Sequence, residues 1–200
     1  MKRLWLLAVV VSTMLSVFPG PSAIATFPTI DIEEYRYLPR KETAPLGGVL
    51  QWHNIGSLTH TASQDGPLRF FNTGQLAPGG FSTGTTMWAA GRFPYHCRIH
   101  PNLMRGLVRV PVTVSSAAIG LGEPVTITMS SNALFKGYTF DLQRKRNQGR
   151  WVIVRRKIGT HSLDVTPKRT GEFRFRARVV DLDRDRSGWS PAASVLVGDV

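Results

Sequence analysis

The chain has 200 residues and a formal net charge of +12, and Val, Thr, aromatic residues, Gly and Pro are plentiful. This length suits two small domains better than one. A single cysteine excludes an internal disulfide. No long stretch has a helical period, so we expect an all-β protein.

The N-terminal segment has the pattern of a secretory signal peptide. Lys2 and Arg3 precede an apolar run from Leu4 to Phe18, and small residues at positions 23 and 25 suit a signal peptidase. The apolar run is shorter than the roughly 20 residues that a membrane-spanning helix needs. We predict cleavage after Ala25, and a secreted, extracytoplasmic protein without a transmembrane anchor.

The first predicted domain covers residues 26–110. Short apolar runs alternate with polar residues and are separated by Pro and Gly, as in a β domain. Its early strand positions are Ile30, Ile32, Tyr35, Tyr37, Val49, Leu50 and Trp52. The stretch "LVRVPVTV" reads as one extended segment that closes this domain and opens the next, so we place the boundary near Pro111.

The second predicted domain, residues 111–200, contains six strand-like runs: "PVTITMSS", "GYTFDLQRKR", "RWVIVRRKI", "HSLDVTP", "GEFRFRARVVDL" and "AASVLV". Their spacing is typical of an antiparallel sandwich. In "EFRFRARVV" apolar residues alternate with arginines, which predicts one buried face. The segment "GEFRFRARVVDLDRDRSGWSPAASVLV" resembles the closing strands of fibronectin type III and immunoglobulin-like domains.

The positive charge lies mainly in the second domain. Residues 26–110 hold eight Lys or Arg and five Asp or Glu, whereas residues 111–200 hold fifteen and eight. Basic domains often bind nucleic acid, but export argues against that partner. An anionic cell-surface polymer, lipid headgroups and a solvated basic face remain open. Arg174 and Arg176 either stack on Trp151 or Trp189 as cation–π pairs or are solvated.

Potential metal ligands are concentrated in "YHCRIHPNLM", residues 95–104. A Cys thiolate and two His with a weak axial Met are the donor set of blue-copper electron-transfer sites. Cys97, His100 and Met104 supply three donors, and His60 in "SLTHTAS" is our choice for the fourth. We expect the other donor-type residues to lie outside the site: His96 on the opposite strand face, His53 on the surface, His161 in the second domain and Met87 in the core.

Two segments carry a resemblance to a known family. "VLQWHNIGSLTHTAS" and "GRFPYHCRIHPNLMRGLVRV" resemble the ligand segments of plastocyanin, amicyanin and pseudoazurin, which are cupredoxins, over roughly residues 27–110. The resemblance implies a Greek-key β-sandwich that binds one copper ion through His60, Cys97 and His100 as equatorial ligands and Met104 as axial ligand. Thr61 either braces the Cys97 loop by a hydrogen bond or faces solvent.

Several functions remain open at this stage. Zinc also binds Cys and His, but a Met ligand favours copper. The trinuclear-cluster and hydrolase motifs are missing, so we expect no enzyme activity. The preferred function is a one-electron carrier whose redox partner docks near His100, which Pro101 and Leu103 flank. The alternatives are copper sequestration or delivery without redox traffic, and a surface-binding protein with an accessory metal site.

Overall fold

A computed structural model describes residues 28–132 and 137–199. Within these ranges the chain forms sixteen β-strands and no helix, as the all-β prediction required. The predicted signal peptide and its cleavage site lie outside the described residues. No helix in these ranges has the length and apolar character that crossing a membrane requires.

The first unit contains two four-stranded sheets. Its strands are β1 (Thr29–Glu33), β2 (Arg36–Leu38), β3 (Lys41–Thr43), β4 (Val49–Asn54), β5 (Ser63–Gln64), β6 (Thr85–Thr86), β7 (Gly91–His96) and β8 (Arg105–Val110). One sheet has the order β2-β1-β4-β6 and the other β3-β8-β7-β5. The sheets meet in a shared core, where Trp52 of β4 and Tyr95 of β7 are fully buried with ring centroids 5.8 Å apart.

Tyr35 differs from its predicted place in a strand. It lies in the turn between β1 and β2 with φ 62°, and its side chain is 46% exposed. This left-handed backbone conformation is uncommon for a bulky residue. It reverses the chain so that β2 pairs antiparallel with β1, and it turns the ring away from the core.

The second unit also contains two sheets. Its strands are β9 (Thr113–Val114), β10 (Ala118–Gly120), β11 (Val125–Thr128), β12 (Tyr138–Arg146), β13 (Val152–Ile158), β14 (Ser162–Val165), β15 (Gly171–Asp181) and β16 (Ala193–Gly198). The sheet orders are β10-β16-β15-β12-β13 and β14-β11-β9. Each of the six predicted runs contains a strand. Strand β9 lies within the extended stretch predicted over residues 107–114. The short strand β10 was not predicted, because three residues carry no visible alternation.

The alternation predicted for β15 is confirmed. Phe173, Phe175 and the small apolar residues at positions 177 and 179 are buried. On the opposite face the guanidinium carbon of Arg176 lies 4.1 Å from the ring centroid of Trp151 and 5.2 Å from that of Trp189. Of the two interpretations offered for these arginines, stacking on tryptophan is therefore the one that Arg176 adopts.

The two units contact each other directly. The strand stretch passes from β8 to β9 across Pro111, and the pairing partners change at that point. The N–H of Ala90 donates to the carbonyl of Met129 at 2.8 Å, and Arg92 forms a β-bridge with Gly188. The start of β7 is therefore joined to the second unit by backbone hydrogen bonds.

Three aromatic rings pack at this junction. Phe70 and Trp88 of the first unit have centroids 4.5 Å apart, and both rings contact Tyr138 of β12, at 5.5 and 5.6 Å. Two of these pairs are edge-to-face and one is tilted, so none has the disfavoured face-to-face sandwich geometry. The junction thus has its own apolar contact in addition to the backbone bonds.

Candidate metal centre

Three predicted ligands converge at one end of the first unit. Cys97 directly follows β7, His100 lies in the next turn, and His60 lies in the loop after β4. The Cys97 Sγ atom is 3.9 Å from Nδ1 of His60 and 3.8 Å from Nδ1 of His100. All three donor atoms lie within 4.8 Å of one another, although 37 residues separate His60 from Cys97 in the chain.

The separations between the sulfur and the two nitrogens are short enough for one metal ion to bind all three donors, since metal–sulfur and metal–nitrogen bonds are about 2.3 and 2.0 Å long. A thiolate with two imidazoles is the equatorial donor set of blue-copper sites. The cluster can hold one copper ion.

The loop that carries His60 is fixed by hydrogen bonds of its own. His60 and Leu76 exchange backbone hydrogen bonds of 3.1 and 2.8 Å. The buried Asn54 amide donates to the carbonyls of Leu58 and Leu76, at 2.7 and 2.8 Å. A buried side chain with satisfied donors is a strong local constraint. The backbone that carries His60 is therefore held in place without a metal.

Backbone hydrogen bonds also close the Cys97 loop. The N–H of His100 donates to the carbonyl of Cys97 at 3.2 Å, and the N–H of Met104 donates to that of His100 at 3.1 Å. The N–H of Cys97 donates to the carbonyl of Met104 at 3.2 Å. Met104 is fully buried and is thus attached to two of the clustered residues. Its role as the axial ligand stays a prediction.

Thr61 connects the two ligand loops. Its backbone N–H lies 3.4 Å from the Cys97 sulfur, and its hydroxyl accepts a 2.8 Å hydrogen bond from the N–H of Arg98. The hydroxyl of Tyr37 donates to the Thr61 carbonyl at 2.6 Å. Thr61 is buried, so the interpretation as a brace is confirmed over the solvent-facing one. Hydrogen bonds to a ligating sulfur stabilise its anionic form and tune the metal.

The surroundings of His60 favour its neutral form. Burial lowers the pKa of His60, His100 lowers it further, and Glu34 opposes both. Metal ligation requires a neutral imidazole. The Nε2 atom of His60 is buried and has no hydrogen-bond partner among the described residues, whereas Nδ1 faces the sulfur. Nδ1 is therefore the nitrogen placed for a metal.

The remaining histidines lie outside this cluster, as expected. His96 points to the other face of β7 and contacts the carboxylate of Asp65. His53 is half-buried rather than fully at the surface, because it stacks on Phe81 with centroids 3.8 Å apart. His161 is an exposed residue of the second unit. Met87 is buried in the core, also as expected.

Exposed apolar side chains surround the half-buried His100. The sequence predicted Pro101 and Leu103 there, and both are exposed, Leu103 by 67%. Ile99 is also exposed, and the ring of Tyr35 meets that of His100 edge-on with centroids 5.0 Å apart. Sequence reasoning missed Tyr35, because its place next to His100 depends on the left-handed turn between β1 and β2.

Among solved structures, several cupredoxins are similar to part of this chain. The purple cupredoxin from Nitrosopumilus maritimus is 25% identical, with 42% of this chain and 98% of that chain covered and a TM-score of 0.38. An oxidised amicyanin variant is 22% identical over 44% of this chain and 87% of that one, with a TM-score of 0.40. A reduced Cu(I) amicyanin variant at pH 4 is 22% identical over 48% and 91%, also with a TM-score of 0.40. No family model and no curated protein matches the chain.

Proposed function

We propose that this protein is an exported one-electron carrier with a mononuclear copper centre. The observation that carries the proposal is the convergence of His60, Cys97 and His100, whose donor atoms lie within 4.8 Å of one another. Met104 is proposed as the weak axial ligand. Bound copper would supply the Cu(II)/Cu(I) couple, which a His₂Cys set with an axial thioether tunes for electron transfer.

In this proposal the protein keeps the metal-binding atoms of His60, Cys97 and His100 in fixed positions. His60 is fixed through Leu76, and Cys97 through Thr61 and its own loop, by hydrogen bonds that do not involve the metal. Donors held by a rigid scaffold move little when the charge of the ion changes, and a small rearrangement favours fast electron transfer. The lowered pKa of His60 favours the neutral imidazole that metal ligation requires.

The exposed side of the centre is proposed as the docking site of a redox protein. His100 is the cluster member that reaches the surface, since His60 and Cys97 are fully buried. The apolar side chains around it, including Ile99 and Leu103, offer the kind of surface that forms the centre of protein–protein contacts. We expect electrons to enter and leave through the imidazole of His100.

Export follows from the sequence and is part of the proposal. Residues 1–25 have the signal-peptide pattern described above. In an oxidising compartment a free thiol is vulnerable, and Cys97 is the one cysteine of the chain. Its sulfur is fully buried and, when it is bound to copper, would also be protected from oxidation.

The first test is the colour of the copper-loaded protein. Titration of the metal-free protein with Cu(II) should give an intense blue or green absorption that saturates at one equivalent. Cys97→Ser should abolish this absorption, because the colour depends on the copper–thiolate bond. His53→Gln is the matched control, since His53 lies outside the cluster, and it should retain the full absorption. A colourless wild-type complex would refute the copper–thiolate centre.

A second test separates an electron carrier from a copper-delivery protein. A carrier should cycle reversibly in voltammetry without losing its ion to a chelator, whereas a delivery protein should release Cu(I). His100→Ala should clearly slow electron exchange with an external redox protein. The free energy of unfolding should change little by comparison. Exchange rates equal to those of the wild type would place the electron port elsewhere.

A further inference from the structure

The second unit contains a cationic pocket far from the candidate metal centre. Its volume is about 430 Å³, and it is lined by Arg144, Arg146, Gly149, Arg150, Val152, Lys168, Arg169 and Phe173. Five of these residues are cationic and none is acidic. They come from the end of β12, from the turn before β13 and from the loop between β14 and β15. The pocket volume is within the range of small-molecule sites.

These cations have no anionic partner within the described part of the chain. The ion pairs found there involve other residues. Arg146 donates from Nε to the carbonyl of Thr170 at 2.8 Å, and the Arg144 guanidinium lies 5.8 Å from the ring centroid of Phe173. These contacts orient the two guanidinium groups and leave most of their N–H donors available.

The carboxylate next to the pocket in the sequence is directed elsewhere. Glu172 adjoins Phe173, but its side chain accepts a 2.8 Å hydrogen bond from Ser194 on β16. Since β15 lies between β16 and β12 in the sheet, this bond directs the carboxylate away from the arginines of β12. The acidic residues Asp181, Asp183 and Asp185 lie at the other end of β15. Within the described residues, no carboxylate forms an ion pair with the cations of the pocket.

The wall formed by the turn after β12 is held in place. The N–H of Gly149 donates to the carbonyl of Arg146 at 2.9 Å. Asn147 binds the backbone of Glu172 twice, through its N–H at 2.7 Å and through its side-chain oxygen at 2.9 Å. The turn is thus attached to the start of β15. The backbone that carries Arg146 and Arg150 is therefore held in place before any ligand binds, which lowers the entropic cost of binding.

We propose that this pocket binds a ligand with clustered phosphate groups, such as a short oligophosphate or the phosphate chain of a surface polymer. Four of the five cations are arginines, whose forked N–H groups match phosphate oxygens in pairs. Five cations around one volume exceed what a single phosphate group can neutralise. A compact ligand with several negative charges offsets their mutual repulsion, and Phe173 and Val152 supply an apolar floor.

The pocket lies away from the junction between the units. Tyr138, at one end of β12, packs on Trp88, whereas Arg146 is at the other end of the strand. At about 3.4 Å per residue, this strand of nine residues separates the aromatic junction from Arg146 at the pocket by roughly 27 Å. Phosphate binding is therefore independent of the copper centre, and either proposal can fail without the other.

The test is calorimetric titration of the full-length mature chain with tripolyphosphate, in its metal-free form because tripolyphosphate itself chelates copper. We expect saturable binding of one tripolyphosphate per chain. The double variant Arg150→Gln and Lys168→Gln should weaken this binding about tenfold or more. Both side chains are exposed, so circular dichroism should show an unchanged fold.

The matched control removes two positive charges outside the pocket. Lys41→Gln with Arg184→Gln changes exposed residues outside the pocket and should bind tripolyphosphate as the wild type does. Titration with long-chain polyphosphate distinguishes a polymer ligand from a free oligophosphate. Tighter binding, with several protein molecules on each polymer, indicates a polymer ligand. Equal affinity per site indicates a free oligophosphate. Equal weakening by both double variants, or equally tight binding of polyglutamate, would overturn the proposal.

Discussion

At the scale of single residues, Met104 is the proposed ligand whose role depends most on its side chain. Its backbone is fixed, since it receives a hydrogen bond from Cys97 and donates one to His100. Its side chain is fully buried. An axial thioether is a weak donor in blue-copper sites and adjusts the reduction potential without being needed to retain the ion.

Met104→Leu should therefore keep copper and colour but raise the reduction potential. Cu(II) gains more from an additional donor than Cu(I) does, so loss of the thioether favours the reduced form. Leu and Met have similar volumes, so the free energy of unfolding should change by less than about 1.5 kcal/mol. Voltammetry and chemical unfolding measure the two effects. Met87→Leu, in the core outside the cluster, is the control, and identical potentials in wild type and Met104→Leu would exclude axial coordination.

At the scale of elements, the β7–β8 hairpin couples the core to the metal ligands. Tyr95 of β7 pairs with Gly106 of β8. The Tyr95 ring packs on Trp52 and Phe71, at 5.8 Å from each centroid. Cys97 follows only two residues later, so a displacement of the Tyr95 ring is transmitted to the cysteine.

Gly106→Ala should disturb both stability and metal binding. A Cβ at this position would overlap the phenol ring of Tyr95. Overpacking in a core costs about 1–3 kcal/mol, and the shifted hairpin should lower copper affinity as well. Chemical unfolding and competition with a copper chelator report the two effects. Gly198→Ala serves as the control, because its Cβ meets nothing within 4 Å. Wild-type stability and affinity in Gly106→Ala would show that the hairpin adjusts freely.

Features that depend on residues close together in the sequence were predicted correctly. The alternation in β15 and the short spacing between Cys97 and His100 are visible in the chain itself. The approach of His60 to Cys97 was expected from the incomplete donor set and from a resemblance between ligand segments. Sequence reasoning could not place Tyr35 beside His100 or decide between two roles for Thr61. Those features depend on a left-handed turn and on hydrogen bonds between distant loops, which the linear pattern does not encode.

At the scale of the whole molecule, the two candidate sites lie on opposite sides of the junction. β7 starts where Arg92 bridges Gly188 and ends at Cys97. β12 starts with Tyr138 at the aromatic contact and ends at the cationic pocket. The two units are joined by backbone hydrogen bonds at the start of β7 and by packed aromatic rings at the start of β12. No long linker separates them. The two units should therefore unfold together, while their sites bind ligands independently.

Trp88→Ala should weaken this junction. Trp88 is half-buried and contacts both Phe70 and Tyr138, so its removal should cost about 2 kcal/mol, below the range for fully buried Trp. Scanning calorimetry should show one unfolding transition for the wild type and two for the variant. Copper binding should persist, because β7 places Cys97 roughly 20 Å from the junction. Phe81→Ala, at a 58% exposed aromatic residue, should leave a single transition. Two transitions already present in the wild type would show that the junction does not couple the units.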